Sequence, residues 1–159
     1  MTAEEVIDKL RLERHPEGGW FRRTFESSER MTLEHGERFA CTGIYYLLAK
    51  GEYSAWHSLA SDEIWFFHAG CGMVVHLFGE NGYKEKHLGA NLSAGEEPQV
   101  TVSAGTTFAA ELREPSEWCL IGCSVCPGFD FKDFSGGGAG VLRGRFPEQD
   151  ELIGRLDRR

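Results

Sequence analysis

His57 and Glu63 stand close together in a stretch bracketed by glycines, Gly51-Glu-Tyr-Ser-Ala-Trp-His57-Ser-Leu59-Ala-Ser-Asp-Glu63-Ile-Trp-Phe-Phe-His-Ala-Gly70. An imidazole and a carboxyl shut into an apolar cavity can trade protons with a small molecule. Burial raises a carboxylic acid's pKa and lowers an imidazole's, whereas proximity favours the ion pair, so either group could serve as acid or base near neutral pH. An isolated histidine and glutamate are equally well explained as a buried polar pair with satisfied hydrogen bonds, so the surrounding elements must decide. If Tyr53 to Leu59 and Glu63 to Phe67 are paired strands, alternation puts His57, Leu59, Glu63, Trp65 and Phe67 on an inward face and Ile64, Phe66 and His68 on the outward one. His57 and Glu63 are therefore the candidate catalytic residues, side by side. Trp65, Phe108 and, from a neighbouring strand, Tyr46 are the candidate ligand-binding residues.

The elements that must position them follow from local pattern. Thr2-Ala-Glu-Glu5 has the capping-box spacing and predicts a short amphipathic helix over about residues 3 to 12, broken by His15-Pro-Glu-Gly-Gly19. From Trp20 onward, short aromatic and β-branched runs alternate with turn residues. They predict strands near 20 to 26, 39 to 49, 53 to 58, 62 to 68, 72 to 78, 83 to 88, 98 to 103, 106 to 112 and 117 to 126. Asn81-Gly82 predicts a tight hairpin with positive φ at both central residues. Gly136-Gly-Gly-Ala-Gly140 lacks the lysine and hydroxyl of a phosphate loop and reads as a flexible linker to a final helix that opens at Pro147. Strand pattern alone leaves a sandwich, a barrel or a jelly roll open.

The whole chain bounds the function further. Its 159 residues suit a single domain with one core. The net charge of −8, with no continuous basic face, excludes nucleic acid as a partner, and aromatic Trp65, Phe66, Phe67 and Phe78 then read as core rather than as a stacking platform. No apolar run reaches the roughly 20 residues of a membrane span, and the expected location is the cytoplasm. Five cysteines, an odd number, do not make a secreted disulfide framework, so reduced thiols are expected. Cys123-Ser-Val-Cys126 lies within a strand, which puts its thiols on opposite faces, and reads as packing.

The segment from Gly51 to Gly70 resembles the first motif of the cupin superfamily, with Leu59 where a second histidine normally stands. Gly95 to Leu112 resembles the second motif, with Ser103 in place of a proline and Phe108 in place of a histidine. Further segments, His15-Pro-Glu-Gly-Gly19-Trp-Phe-Arg-Arg-Thr-Phe, Thr42-Gly-Ile-Tyr-Tyr-Leu-Leu, Ser103-Ala-Gly-Thr-Thr and Gly122-Cys-Ser-Val-Cys-Pro-Gly-Phe-Asp-Phe131, are similar to the cupin subfamily named only as a domain of unknown function. The resemblance implies an all-β, double-stranded β-helix, that is a jelly-roll barrel, over about residues 20 to 131. A short helix precedes it, and a tail with a short helix follows over about 132 to 157. It also implies a homodimer, and a shape related to sugar-nucleotide epimerases.

Two of the four usual ligand positions are apolar here, and zinc or iron wants three or four protein ligands. No cofactor is expected, and at most a divalent metal held weakly by His57 and Glu63. The expected function is binding of a small polar molecule, carbohydrate-like or carboxylated, with an epimerase or isomerase step in which His57 takes a proton and a tyrosine returns one. The alternative is a non-catalytic binding or sensor module, and metal-dependent oxygenase chemistry ranks third.

Overall fold

Thr2 closes the first helix as its spacing requires. Its hydroxyl accepts from the Glu5 amide, and its own amide donates to the Glu5 carboxylate at 2.9 Å, which caps α1 (Ala3–Leu10). The computed structural model describes residues 1–115 and 117–158. After α1 the chain is mostly extended: β1 (Glu13–Arg14), β2 (Trp20–Glu26), β3 (Arg30–Leu33), β4 (Gly36–Phe39), β5 (Thr42–Leu48), β6 (Tyr53–Leu59), β7 (Asp62–Gly70), β8 (Met73–Gly79), β9 (Gly82–Leu88), β10 (Gln99–Val102), β11 (Thr107–Leu112), β12 (Cys119–Cys126) and β13 (Phe134–Gly136). Two short helices, α2 (Ala139–Arg145) and α3 (Asp150–Arg155), end it. No helix among the described residues is long and apolar enough to cross a membrane.

Six strands form one antiparallel sheet in the order β1-β2-β5-β12-β7-β10, five form a second in the order β13-β6-β11-β8-β9, and β3-β4 is a separate hairpin. The consecutive strands β5, β6, β7 and β8 alternate between the two sheets, which is jelly-roll winding. The sheets face one another without joining into a closed hydrogen-bonded cylinder. Their inner faces bury Leu48, Trp65, Met73, Val75, Val100, Phe108 and Ile121. Outside the five-stranded sheet, Trp56, Phe78 and Ala109 are covered by Ala139 and Leu142 of α2 and by Ile153 and Leu156 at the C-terminus. Outside the other sheet, Leu47 lies under Ala3 and Val6 of α1.

Three expectations need correcting. β6 and β7 do not pair: β6 lies between β11 and β13, and β7 between β12 and β10. The inward faces are nevertheless as expected, because alternation decides which face is apolar but not which strand stands alongside. The hairpin at Asn81-Gly82 forms, with Gly79 opposite Gly82, but positive φ falls on Gly82 alone (+93°), so the turn itself is Glu80-Asn81. The glycine run from 136 to 140 is no linker: its first residue ends β13 and its last two residues begin α2.

One buried side chain both packs against the C-terminal helices and bonds to them. Trp56 is fully buried and its indole N–H donates to the Ile153 carbonyl at 2.9 Å. Trp56→Phe keeps most of the apolar contact and deletes that bond, so it is expected to lower unfolding stability by about 2 kcal/mol, part lost hydrogen bond and part small cavity. Urea unfolding checks this, and an unchanged midpoint would show that the helices are held by other means.

Candidate functional site

His57 on β6 stands opposite Phe108 of β11 and Gly136 of β13, while Glu63 approaches from the facing sheet, flanked by Val125 of β12 and Val102 of β10. Both line a cavity of about 60 Å³ between the sheets. Its wall continues through Phe21, Arg23, Thr42, Ile44, Leu59 and Cys123, and Phe129, Phe131 and Phe134 close one side. At roughly 10–15 Å³ for each water, this holds a few waters or a small organic group.

The hydrogen bonds set the proton positions on two rings. A carbonyl only accepts, so the Ala55 carbonyl at 2.7 Å requires a proton on His57 Nδ1 and leaves Nε2 with a lone pair. An amide only donates, so the Glu17 N–H at 3.1 Å makes His15 Nδ1 the acceptor and places the proton of the neutral ring on Nε2. The cavity, which His15 also lines, is thus offered one acceptor and one donor. Desolvation pushes the His57 pKa down to about 4, with the Arg158 charge acting the same way and the Ala55 bond opposing it. His15 is likewise lowered to about 4, by burial first and then by His57 and Arg158. Both rings are therefore neutral at physiological pH.

Glu63 is the unsatisfied member. Its Oε2 is buried without a hydrogen-bond partner, as is the Trp65 indole nitrogen beside it. Burial pushes the carboxyl up to about 7, and the nearby Trp65 indole and Cys123 thiol pull it only part of the way back. Oε2 lies behind the cavity surface next to the Trp65 indole, and Glu63 meets the cavity as part of its wall, so the carboxyl is held in an apolar setting with few donors and within reach of whatever the cavity admits.

The other expected site residues lie one layer back. Tyr46 is buried and its hydroxyl donates to the Gly18 carbonyl at 2.8 Å. Phe108 is buried with its ring 4.1 Å from that of His57, and edge-on to Trp65 at 5.9 Å. None of Tyr46, Trp65 and Phe108 lines the cavity; they fix the rings that do. His57 and Glu63 share the cavity without a hydrogen bond to each other, so they face one another across it rather than lying alongside.

Residues distant in sequence complete the site. His15 arrives on a loop that can press against the sheet only because Gly18 has φ of +104° and no side chain, since a Cβ there would lie 2.2 Å from the Tyr53 carbonyl oxygen. Behind that loop, Arg158 pairs with Glu17 and donates to the Pro16 carbonyl at 3.1 Å, which brings the C-terminus to the site. The signal for His15 was its place in the His15-Pro-Glu-Gly-Gly19 segment. Phe134 had none, because β13 is three residues long and ends in glycine.

No three His, Cys, Asp or Glu side chains come together among the described residues in a way that would hold a metal ion. With Leu59 and Phe108 in the remaining positions, this donor set does not fit a transition-metal centre, and no step is derived through one.

Residues 4–136 match the family described as the cupin superfamily, DUF985. An uncharacterized protein of Saccharomyces cerevisiae is 29% identical over 147 residues, which is 83% of this chain and 73% of that protein. Among solved structures, a hypothetical protein from Leishmania major superposes with a TM-score of 0.92 at 30% identity, over 100% of both chains. A protein from Shewanella oneidensis superposes with a TM-score of 0.91 at 34% identity, over 99% of this chain and 98% of that one.

Proposed function

We propose, from the premise that this chain belongs to the cupin superfamily and its DUF985 family, that the cavity binds a small hydroxy-carbonyl or carboxylated compound and moves one of its protons through Glu63. The observation that carries the reading is the Glu63 carboxyl, buried with Oε2 unpartnered and a pKa of about 7. A group titrating near the working pH both takes and returns a proton efficiently. His57, depressed to about 4, is a weak base and serves better as a hydrogen-bond acceptor for a ligand hydroxyl. The His15 Nε2–H is suited to hold a carbonyl oxygen as charge develops on it. Arg23, at the cavity wall and paired with Glu26 at 2.6 Å, supplies positive charge for an acidic substituent.

This inventory supports isomerisation over epimerisation. In isomerisation the Glu63 carboxylate takes a proton from the carbon next to a carbonyl and returns it to the former carbonyl carbon, while the hydroxyl proton passes to the old carbonyl oxygen with His57 Nε2 as its acceptor and His15 Nε2–H as its donor, so one carbon-directed acid–base group suffices. Epimerisation needs a second acid on the opposite face, and the one tyrosine expected for that role, Tyr46, donates to Gly18 behind the wall. The proposal also includes a second copy of the chain over Ile64 and Phe66, which stay only half-buried outside the six-stranded sheet, and a reducing, cytoplasmic setting for five unpaired cysteines.

The test is solvent deuterium wash-in across a panel of small hydroxyaldehydes, hydroxyketones and hydroxy acids, followed by mass and proton spectra. Glu63→Gln is expected to abolish wash-in while any thermal shift caused by the compound survives. Compounds that shift the melting temperature without exchanging a proton would replace the catalytic reading with a binding module.

A further inference from the structure

Two thiols meet where β5 begins and β12 ends. The β5–β12 ladder runs to the pair Thr42 and Val125, and the next residue on each strand is a cysteine, Cys41 on one and Cys126 on the other. The alignment continues beyond them, because the Gly128 amide donates to the Phe39 carbonyl at 2.7 Å. Cys41 and Cys126 are thus bracketed on both sides as a cross-strand pair. Opposed residues of antiparallel strands have Cα atoms about 4.5 or 5.5 Å apart, and both spacings lie in the roughly 4.4–6.8 Å that a disulfide spans. Cys126 is exposed and Cys41 half-buried, whereas Cys119 and Cys123 are shut in the core.

The position gives the pair a consequence. Cys126 is the root of the segment 127–134, whose Phe129, Phe131 and Phe134 close one side of the cavity. No covalent cross-link holds that segment; its ties include the Gly128 amide on Phe39, the Phe129 amide on the Thr42 hydroxyl at 2.8 Å, Asp133 on Arg38 at 2.5 and 2.6 Å, the Ala60 amide on the Asp133 carbonyl at 3.2 Å, and the pairing of Phe134 with Leu59.

We propose that Cys41 and Cys126 form an oxidative modification site, at which a hydroperoxide converts the pair into a disulfide that fastens the root of the cavity-closing segment to β5. The exposed Cys126 thiolate attacks one peroxide oxygen, the O–O bond breaks, and a sulfenic acid and one water form with hydrogen peroxide as the oxidant. Cys41 sulfur then displaces the sulfenic oxygen as a second water, taking up the proton that the Cys41 thiol gives up. The two sulfurs together lose two electrons, and the peroxide gains them. Partial desolvation of its sulfur, and then contact with Cys41, raise the Cys126 thiol above its ordinary range even though the residue as a whole is exposed, so thiolate is scarce at neutral pH. The reaction is accordingly slow at pH 7 and speeds up about tenfold for each pH unit up to pH 9. None of this depends on what the cavity binds.

The experiment treats the reduced full-length protein with hydrogen peroxide and follows intact mass and disulfide-linked peptides. Expected are a loss of about 2 Da that a thiol reductant reverses, a linked peptide containing Cys41 and Cys126, and a fall in free thiols from five to three. Cys41→Ser and Cys126→Ser should each abolish the mass loss. Backbone hydrogen exchange over residues 127–134 should slow in the oxidised protein. An unchanged mass, oxygen gained without a bridge, or a bridge through Cys71 or between two molecules would overturn the site, and unchanged exchange would overturn the fastening.

Discussion

Glu63→Gln stabilises the protein at pH 8 relative to the parent by about 3 kcal/mol more than it does at pH 4.5, because the parent carries an ionised carboxylate in a place that favours the neutral acid. The folded-state pKa of Glu63 is raised from 4.5 to about 7. Between those values the folded protein binds more protons than the unfolded chain, so parental stability is full below 4.5 and declines as pH rises through 7. Glutamine has nearly the same shape and does not titrate, so its curve lacks that decline. Urea midpoints from pH 4.5 to 8 measure the difference. If the gap between the two proteins were constant across that range, Glu63 would be an ordinary ionised carboxylate, and the group assigned to move a proton would lose the property that qualifies it.

Acid acts through the two histidines in the opposite sense. His57 and His15 are lowered from 6.5 to about 4, so between those values the unfolded chain binds more protons than the folded one and stability falls with falling pH. The buried His57 accounts for about 3 kcal/mol and the more open His15 for a smaller share, together on the order of 5 kcal/mol by pH 4. Total stabilities of small domains run from about 5 to 15 kcal/mol, so this loss is enough to threaten the fold. Over pH 4.5 to 6.5 the histidine slope outweighs the Glu63 slope, which places the stability maximum near pH 6.5. His57→Gln should remove more than half of the acid-side loss in thermal or urea unfolding. A parent whose stability stays level from pH 6.5 to 4.5 would mean that both rings are hydrated enough to protonate in place, and the donor and acceptor roles given to their Nε2 atoms would fail.

These two titrations also separate the possible roles at the cavity. A carboxyl raised to about 7 across the cavity from an imidazole lowered to about 4 makes the acid the proton carrier, the reverse of an expectation that put His57 first. Both shifts have the same cause, desolvation, which opposes charge on either group. An ion pair would have held the carboxyl low and the imidazole high. The pair does not form because the two side chains come from different sheets with the cavity between them.

Residue types and their local order determined a great deal about this protein: the capping box of α1, the two-residue period that turns His57, Leu59, Glu63 and Trp65 inward, a hairpin around Asn81 though not its turn, and the apolar character of Leu59 and Phe108 on the inner faces. Each is a relation among neighbours, and neighbours interact wherever the rest of the chain goes. Only the tertiary structure decided that β6 and β7 face rather than flank each other, that β13 brings Phe134 against His57, and that His15 and Arg158 reach the same wall from opposite ends of the chain. Those are contacts between distant segments, selected by which faces bury best against which, and a pattern of period two carries no information about the partner.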